Sequence, residues 1–219
     1  MGVGCGSLGA LTSVHATRIA EGLDRVLEGD WQARTLPALE LTGPPGEAAL
    51  HAINDFVFMR GGAGQLSVSV YVDDELYIRF GGDGLVVATS LGSSAYTLAS
   101  NGPLLAPGAV GMVVTPLAPH GGSCPPLVAG PGSTFEIIVD PGHGGARLEA
   151  DGQTTADLER FETHRFTIAL RPEYATLVTL EDQEPMLAGL RRRRIVMDSP
   201  RLLARDDRLA AVAASDGVT

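Results

Sequence analysis

The sequence predicts a mainly β fold of the α+β class, arranged as a sandwich or a barrel. Short apolar or alternating runs recur between residues 36 and 180, and each has the length of one strand. Turn signals separate these runs, such as the glycines of residues 142–145 and the Asp-Gly pair at residues 151–152. Helical patterns are short and few. Many short strands joined by such turns are typical of sandwiches and barrels.

Ten runs have the apolar or period-two pattern of a strand. Asp73 and Asp74 separate two alternating runs, which predicts a hairpin. Asn54 and Asp55 interrupt one apolar run, and a buried strand tolerates such a pair only if it is hydrogen-bonded or placed at a bulge or strand end. In chain order the strand candidates are residues 36–41, 50–59, 66–72, 76–80, 85–88, 110–115, 134–139, 146–150, 165–170 and 175–180.

A helix is predicted over residues 16–28, followed by Gly29 as a residue that can end it. One face of this helix is apolar, and we expect that face to lie in the core. Its members are Ile19, Leu23, Val26 and Leu27.

A second short helix is predicted over residues 188–194, where four consecutive arginines suit a solvated helix C-terminus. Pro200 is expected to interrupt the tail, and residues 215–219 are expected to fray.

Composition narrows the classes of function. The formal net charge is −10, which disfavours a broad electrostatic attraction to nucleic acid. All 16 basic residues are arginine, so the chain contains no catalytic or phosphate-loop lysine. Cys5 and Cys124 match no metal or redox spacing. With no signal peptide and no apolar stretch of membrane-spanning length, we expect a soluble, cytoplasmic protein without membrane contacts.

The most informative stretch is residues 81–102, GGDGLVVATSLGSSAYTLASNG. A glycine turn precedes a short apolar strand at residues 85–88, then a polar turn at residues 89–94, then the first turns of a helix at residues 95–99. Small side chains and helix-start amides suit a hydroxyl-rich or phosphorylated ligand. A plain helix cap after a strand accounts for the same composition, and the residues alone leave both interpretations open.

The same stretch resembles the signature of the NAD kinase family. Residues 82–84 (GDG) and 89–97 (TSLGSSAYT) are similar to the family's GDG turn and TPTGSTAYS-like loop, with Ser90 and Leu91 in place of proline and threonine. Asn54 and Asp55 are similar to the family's Asn-Glu pair, and Asp55 is one methylene shorter.

Four further segments extend the resemblance. Residues 2–11 are similar to the family's glycine-rich stretch. Residues 115–120 (TPLAPH) and 126–128 (PLV) are similar to its TPICPHS and RPLV segments. Asp151 begins a D-G-Q turn that the family shares, which we interpret as structural.

The resemblance implies a set of residues that bind a dinucleotide. Asn54, Asp55 and Asp83 would meet its ribose or nicotinamide groups. His120 would lie near the dinucleotide or a neighbouring subunit. The adenine and ribose pocket would be lined by Ser94, Ala95, Tyr96 and Ala99.

The resemblance also implies the reaction and the partners. NAD would be the substrate, ATP or polyphosphate the phosphate donor with Mg²⁺, and the assembly a homodimer or homotetramer. The family's catalytic base belongs to a GGDGT motif, whereas Leu85 follows the GGDG of this chain. We therefore assign no catalytic residue and no protein-held metal.

Together these observations predict a two-layer distorted β-sandwich with a short remnant of an amino-terminal α/β domain. The expected divisions are residues 1–34 for the remnant, 35–182 for the dinucleotide-binding sandwich and 183–219 for a helix and tail. Such a chain is expected if the sequence is a fragment of a longer protein, if its start codon is placed too late, or if the amino-terminal domain has truly been lost. An NAD kinase is the first expectation, and a non-catalytic NAD(P)(H)-binding or scaffold protein is the alternative. A lipid-kinase-like domain is a third, weaker alternative, because the TSLGSSAY loop and the Asn-Asp pair argue against it.

Overall fold

Two six-stranded sheets, antiparallel at every pairing, form the sandwich in the computed structural model of the chain. The structure describes residues 1–5, 12, 14–43, 48–180 and 186–216. A separate parallel pair joins β1 (Val3–Gly4) to β2 (Val14–His15). The predicted mainly β, two-layer fold is confirmed.

The first sheet contains six strands in the order β4-β3-β14-β11-β6-β7. Their bounds are β3 Gln32–Thr42, β4 Leu50–Ala52, β6 Leu66–Val72, β7 Glu75–Gly82, β11 Thr134–Asp140 and β14 His164–Thr179. The second sheet has the order β10-β9-β8-β5-β12-β13. Its strands are β5 Asp55–Arg60, β8 Gly84–Thr89, β9 Met112–Leu117, β10 Leu127–Ala129, β12 Ala146–Ala150 and β13 Gln153–Leu158.

The core lies between the two sheets, where alternate residues of each strand meet. In β11 the inward residues Phe135, Ile137 and Val139 are completely buried. Strand β8 is buried along its whole length, and on its other face Val86 and Ala88 form a second apolar cluster with Val57 of β5 and Leu117 of β9. The unbroken apolar run of residues 85–88 is the sequence expected of a strand buried on both sides.

Three strand predictions are wrong in detail. The run 50–59 is two strands in different sheets, because the chain leaves the first sheet after β4 and enters the second with β5. The runs 165–170 and 175–180 belong to the single strand β14, which is irregular between Arg171 and Ala175. Strands β10 and β13 were not predicted, since β13 is a mostly exposed edge with few apolar residues.

The helix near the amino terminus is α1 (Ile19–Glu28), and it ends at Gly29 with φ 79°. The expectation that its apolar face is core is wrong: Ile19, Leu23 and Leu27 are 44%, 50% and 85% exposed. The helix instead rests on the side that carries Gly22, its one fully buried residue in the structure.

Two contacts hold the side of α1 that carries Gly22. A Cβ atom on Gly22 would lie 2.8 Å from Val14 and 3.3 Å from Leu180, which shows how closely the helix approaches both. The Arg25 guanidinium donates to the Leu180 carbonyl and to Asp30. Periodicity identifies an apolar face, but these small and polar contacts decide which face is covered.

Two helices end the described chain, α3 (Met186–Arg192) and α4 (Pro200–Asp216). Pro200 begins α4 rather than interrupting the tail, because the first helical position needs no backbone N–H donor. The amides of Leu202 and Leu203 donate to the Ser199 carbonyl and close the first turn. Within the described residues, no helix has the length and apolar character needed to cross a membrane.

We expect Gly84→Ala to destabilise the sandwich by about 2 kcal/mol, because overpacking a core commonly costs that much. A Cβ atom at residue 84 would lie 2.2 Å from the Phe58 carbonyl oxygen of the neighbouring strand. Urea denaturation would measure the loss. Gly130→Ala is the matched control, since a Cβ atom there meets nothing within 4 Å. Equal stability of the two variants would show that β5 and β8 do not need this close approach.

Candidate functional site

One of the segments at which the chain passes between the two sheets, residues 53–55 between β4 and β5, forms a corner held by one carboxylate. The amides of Ile53 and Asn54 donate to the two carboxylate oxygens of Asp151 at 2.8 and 2.6 Å. The amide of Asp55 donates to the same carboxylate at 3.2 Å. In return the Asp151 amide donates to the Asp55 carbonyl at 3.0 Å. The polar pair therefore marks a strand start, one of the two positions that its sequence allowed.

The carboxyl group of Asp55 is buried at this corner, with the residue only 5% exposed. Burial, followed by the negative charges of Asp151 and Glu149, raises its pKa to about 6. No side chain or amide of the described residues donates a hydrogen bond to this carboxyl group. It therefore retains its full capacity to accept hydrogen bonds from a ligand.

The loop that follows β8 is fastened to the same corner. The Thr89 amide donates to the Asn54 carbonyl at 2.9 Å, and the Thr89 hydroxyl donates to the Ile53 carbonyl at 2.7 Å. The Gly92 amide donates to that hydroxyl at 3.0 Å. A Cβ atom on Gly92 would lie 2.0 Å from the Asn54 carbonyl oxygen, so only glycine fits here. Corner and loop thus form one unit.

The hydroxyls of the loop are used to hold its own turn. Ser93 Oγ donates to the Ser90 carbonyl at 2.7 Å and accepts from the Leu105 amide at 3.0 Å. Ser94 Oγ donates to the Leu91 carbonyl at 3.0 Å. A single 3-10 turn, Gly92–Ser94, leads into the short helix α2 (Tyr96–Ala99). The serine hydroxyls therefore bond to carbonyls of their own turn. Neither the 3-10 turn nor α2 has a side-chain hydrogen bond from its N-cap residue, so these serines do not cap either element.

Beside these serines, the loop exposes a face that a ligand can reach. Ala95, Tyr96 and Ala99 are all exposed, and residues three or four apart on a helix share one side. Ser94 is half-buried next to them. The same loop therefore offers both a rigid frame and an accessible surface.

Asp83 and His120 lie at the opposite end of β8. Asp83 precedes this six-residue strand and the loop follows it, which separates them by roughly 20 Å at 3.3 Å per residue. Asp83 forms an ion pair with Arg60 at 2.7 Å. The His120 ring lies 2.7 Å from Gln65 Oε1, and its amide donates to the Gly81 carbonyl. Within one copy of the chain, the structure does not bring these two residues to the corner.

The other predicted features divide between the described and undescribed residues. Most of the glycine-rich stretch, including Gly6, Leu8, Gly9 and Leu11, lies outside the described residues. Within the described ranges, no three histidine, cysteine or acidic side chains are grouped closely enough to hold a metal ion. Sequence reasoning missed the part that Asp151 plays, because the D-G-Q pattern signals only a turn.

A family model of the ATP-NAD kinase C-terminal domain matches residues 53–178, more than half of the chain. The chain belongs to the NAD kinase family. The matched range begins at the corner and includes the whole loop and the Asp151 turn. The family that the central stretch resembles is therefore confirmed.

Curated relatives named NAD kinase are about one third identical to this member of the NAD kinase family over the residues that align. The protein from Porphyromonas gingivalis is 35% identical over 155 residues, 70% of this chain and 54% of that protein. That from Chlorobaculum tepidum is 32% identical over 183 residues, with 83% and 64% covered. One from Neisseria meningitidis is 36% identical over 179 residues, with 78% and 60% covered. The chain thus spans between half and two thirds of these NAD kinases.

Solved structures show the same fold. Yeast NADH kinase, complexed with NADH, superposes with a TM-score of 0.77 at 20% identity, covering 90% of this chain and 60% of that one. An NAD kinase from Archaeoglobus fulgidus in complex with ATP gives 0.68 at 22% identity, covering 86% and 71%. The two-layer β architecture is therefore that of NAD kinases.

We expect Asp55→Asn to stabilise the protein more at pH 7.5 than at pH 4. The pKa of Asp55 is higher in the folded chain than in the unfolded chain, so its favourable contribution is complete below about pH 4 and is lost as the pH rises through about 6. The stability difference between variant and wild type should grow by on the order of 2 kcal/mol across this window.

Urea denaturation at the two pH values measures this difference. Asp157→Asn, on the exposed edge strand β13, is the matched control. The same difference for Asp55→Asn at both pH values would contradict the burial of an ionisable group at the corner.

Proposed function

We propose that this chain is the dinucleotide-binding part of an NAD kinase. In the intact enzyme, ATP or polyphosphate would donate a phosphoryl group to the 2′-hydroxyl of NAD. The observation that carries the proposal is the direct attachment of the loop to the corner through Thr89 and Gly92. These are the two segments in which the sequence resembles the family's nucleotide-binding motifs, and they are distant in sequence but contiguous in the fold.

The two parts of the site suit different parts of a dinucleotide. The Asn54 side-chain amide would donate hydrogen bonds to, and accept them from, ribose hydroxyls or the nicotinamide amide, and the Asp55 carboxylate would accept hydrogen bonds from these groups. Near neutral pH the Asp55 carboxyl is mostly ionised, since its pKa is about 6. An ionised carboxylate with no protein donor is a strong acceptor for the paired hydroxyls of a ribose. Ser94, Ala95, Tyr96 and Ala99 would line the adenine and its ribose, with Tyr96 stacking on the base.

Asp83 and His120 remain proposed ligand contacts with an additional requirement. At roughly 20 Å from the loop they can contact the same ligand only if it extends along β8 or if a second copy of the chain supplies them. A homodimer or homotetramer is accordingly part of the proposal. Analytical ultracentrifugation with and without NAD would test the proposed oligomer. A monomer that binds NAD, with an affinity that does not depend on Asp83, would contradict it.

Phosphoryl transfer needs groups beyond those described. Mg²⁺ would accompany the phosphate donor, where it offsets phosphate charge. The described residues do not form a site of three or more donor side chains for it, so no step is assigned through a protein-held metal. The aspartate of the GGDG turn is engaged by Arg60, and Leu85 rather than threonine follows the turn. No residue of this chain is therefore proposed as the base.

A non-catalytic NAD(P)(H)-binding protein is the second candidate. The observation that favours it is the same Asp83–Arg60 pair, which engages the aspartate of the chain's one GGDG turn. The two candidates share a binding site and differ in the reaction. Because no base is proposed within this chain, the two candidates are separated by assaying the intact protein: formation of NADP from NAD in the presence of Mg²⁺ with ATP or polyphosphate supports the kinase, and NAD binding by the intact protein without turnover supports the alternative.

We expect NAD to bind this chain saturably and Tyr96→Ala to weaken binding about tenfold, the loss expected when an aromatic stacking partner is removed. Isothermal titration calorimetry would measure both affinities. Tyr174→Ala is the matched control, because Tyr174 is also exposed but stacks on His51 in the other sheet. If Tyr96→Ala bound NAD as tightly as wild type, the loop would not be the adenine site.

A further inference from the structure

Asp151 lies in the tight turn between β12 and β13, outside both the corner and the loop. Its backbone is left-handed, with φ 49°, and the following Gly152 has φ 77°. Strand β12 pairs with β5 so that Ala150 lies opposite Phe56. This register places the turn beside residues 53–55, at the point where the chain passes from one sheet to the other.

The amides of residues 53–55 face the Asp151 carboxylate, where the chain passes between the sheets. Such amides need another acceptor, because unpaired backbone groups are costly. The two Asp151 oxygens accept from all three of them. One side chain therefore fixes the backbone from which Asn54 and Asp55 project.

The loop depends on the same three residues. Thr89 donates hydrogen bonds to the carbonyls of Ile53 and Asn54. The Asn54 carbonyl oxygen also lies so close to residue 92 that only glycine fits there. A shift of the corner would therefore move both halves of the proposed ligand site together. Asp151 is itself exposed and has no contact with the loop among its described hydrogen bonds.

We propose that Asp151 is a positioning residue for dinucleotide binding: its carboxylate orients Asn54 and Asp55 toward the ligand without touching the ligand. The inference rests on the proposed function of this site and adds a residue to it. Asp151 also acts on Asp55 electrostatically, since its negative charge faces the Asp55 carboxyl and raises the pKa of that group. The other charged group facing Asp55 is Glu149, which is itself paired with Arg147.

The fold supplies a matched control for this residue. Asp73 also has φ 49°, also lies in a hairpin turn, and also accepts a backbone N–H, that of Thr134 at 2.8 Å. It belongs to the other sheet, in the turn between β6 and β7. Asparagine tolerates a left-handed backbone as well as aspartate does, so Asp151→Asn and Asp73→Asn change the same chemistry in two similar turns.

The experiment compares wild type, Asp151→Asn and Asp73→Asn in the full chain. NMR hydrogen exchange of the amides of residues 53–55 and carbon-detected titration of the Asp55 carboxyl are measured without ligand, and NAD affinity is then measured by calorimetry. In Asp151→Asn we expect faster exchange of these amides, a lower titration midpoint for Asp55, and NAD affinity reduced about tenfold, as for lost hydrogen bonds to a charged group. Asp73→Asn should leave all three unchanged.

The outcomes separate this inference from the proposed function. Unchanged exchange and titration in Asp151→Asn, or unchanged NAD affinity despite altered exchange, would overturn the positioning role while wild-type binding still supports the function. Equal losses in Asp73→Asn would also overturn it, since the effect would then be general destabilisation. Absence of NAD binding by the folded wild type would overturn the proposed function and, with it, any role of Asp151 in binding this ligand.

Discussion

The passage of the chain from one sheet to the other at residues 53–55 is the constraint on which the site depends. Packed sheets lie about 10 Å apart, so a crossing segment cannot keep its ladder partners. Its amides are satisfied by the Asp151 carboxylate and two of its carbonyls by Thr89. This solution leaves the Asp55 side chain buried without a protein donor, a cost that is reflected in its raised pKa. A ligand with hydroxyl donors would offset that cost by bonding to the carboxyl group, which makes residues 53–55 a suitable binding site.

Strand β8 then divides the candidate residues into two groups. Because it is buried on both faces and bonded to a neighbour on either side, its two ends are held rigidly apart. The loop end carries the corner, the serines of the turn and Tyr96, whereas the other end carries Asp83, Arg60 and His120. A site that uses both ends has to be completed by an extended ligand or by another copy of the chain. Membership in the NAD kinase family is shown, while the ligand contacts and the assembly stay proposals.

Local patterns predicted much of the fold and the loop. The apolar run of β8 predicts a buried strand and the aspartate pair predicts the β6–β7 hairpin, and both predictions are confirmed. The exposed face of α1 was mispredicted, since periodicity does not say which side has a neighbour. The role of Asp151 was not predictable, because its bond to the Ile53 amide spans 98 residues of sequence. The separation of Asp83 from the loop, in contrast, follows from the strand predicted between them, because six residues that are close in sequence extend roughly 20 Å along a strand.

The most direct test of the central claim is a two-dimensional amide NMR titration of the chain with NAD. The claim that corner and loop form one dinucleotide site predicts saturable shifts in the amides of residues 53–55 and 89–97, with the same midpoint in both segments. Shifts that are confined to the surroundings of Asp83 and His120, or that have different midpoints in the corner and the loop, would contradict it. In the first case the ligand would lie at the other end of β8, and in the second the two segments would not act as a unit.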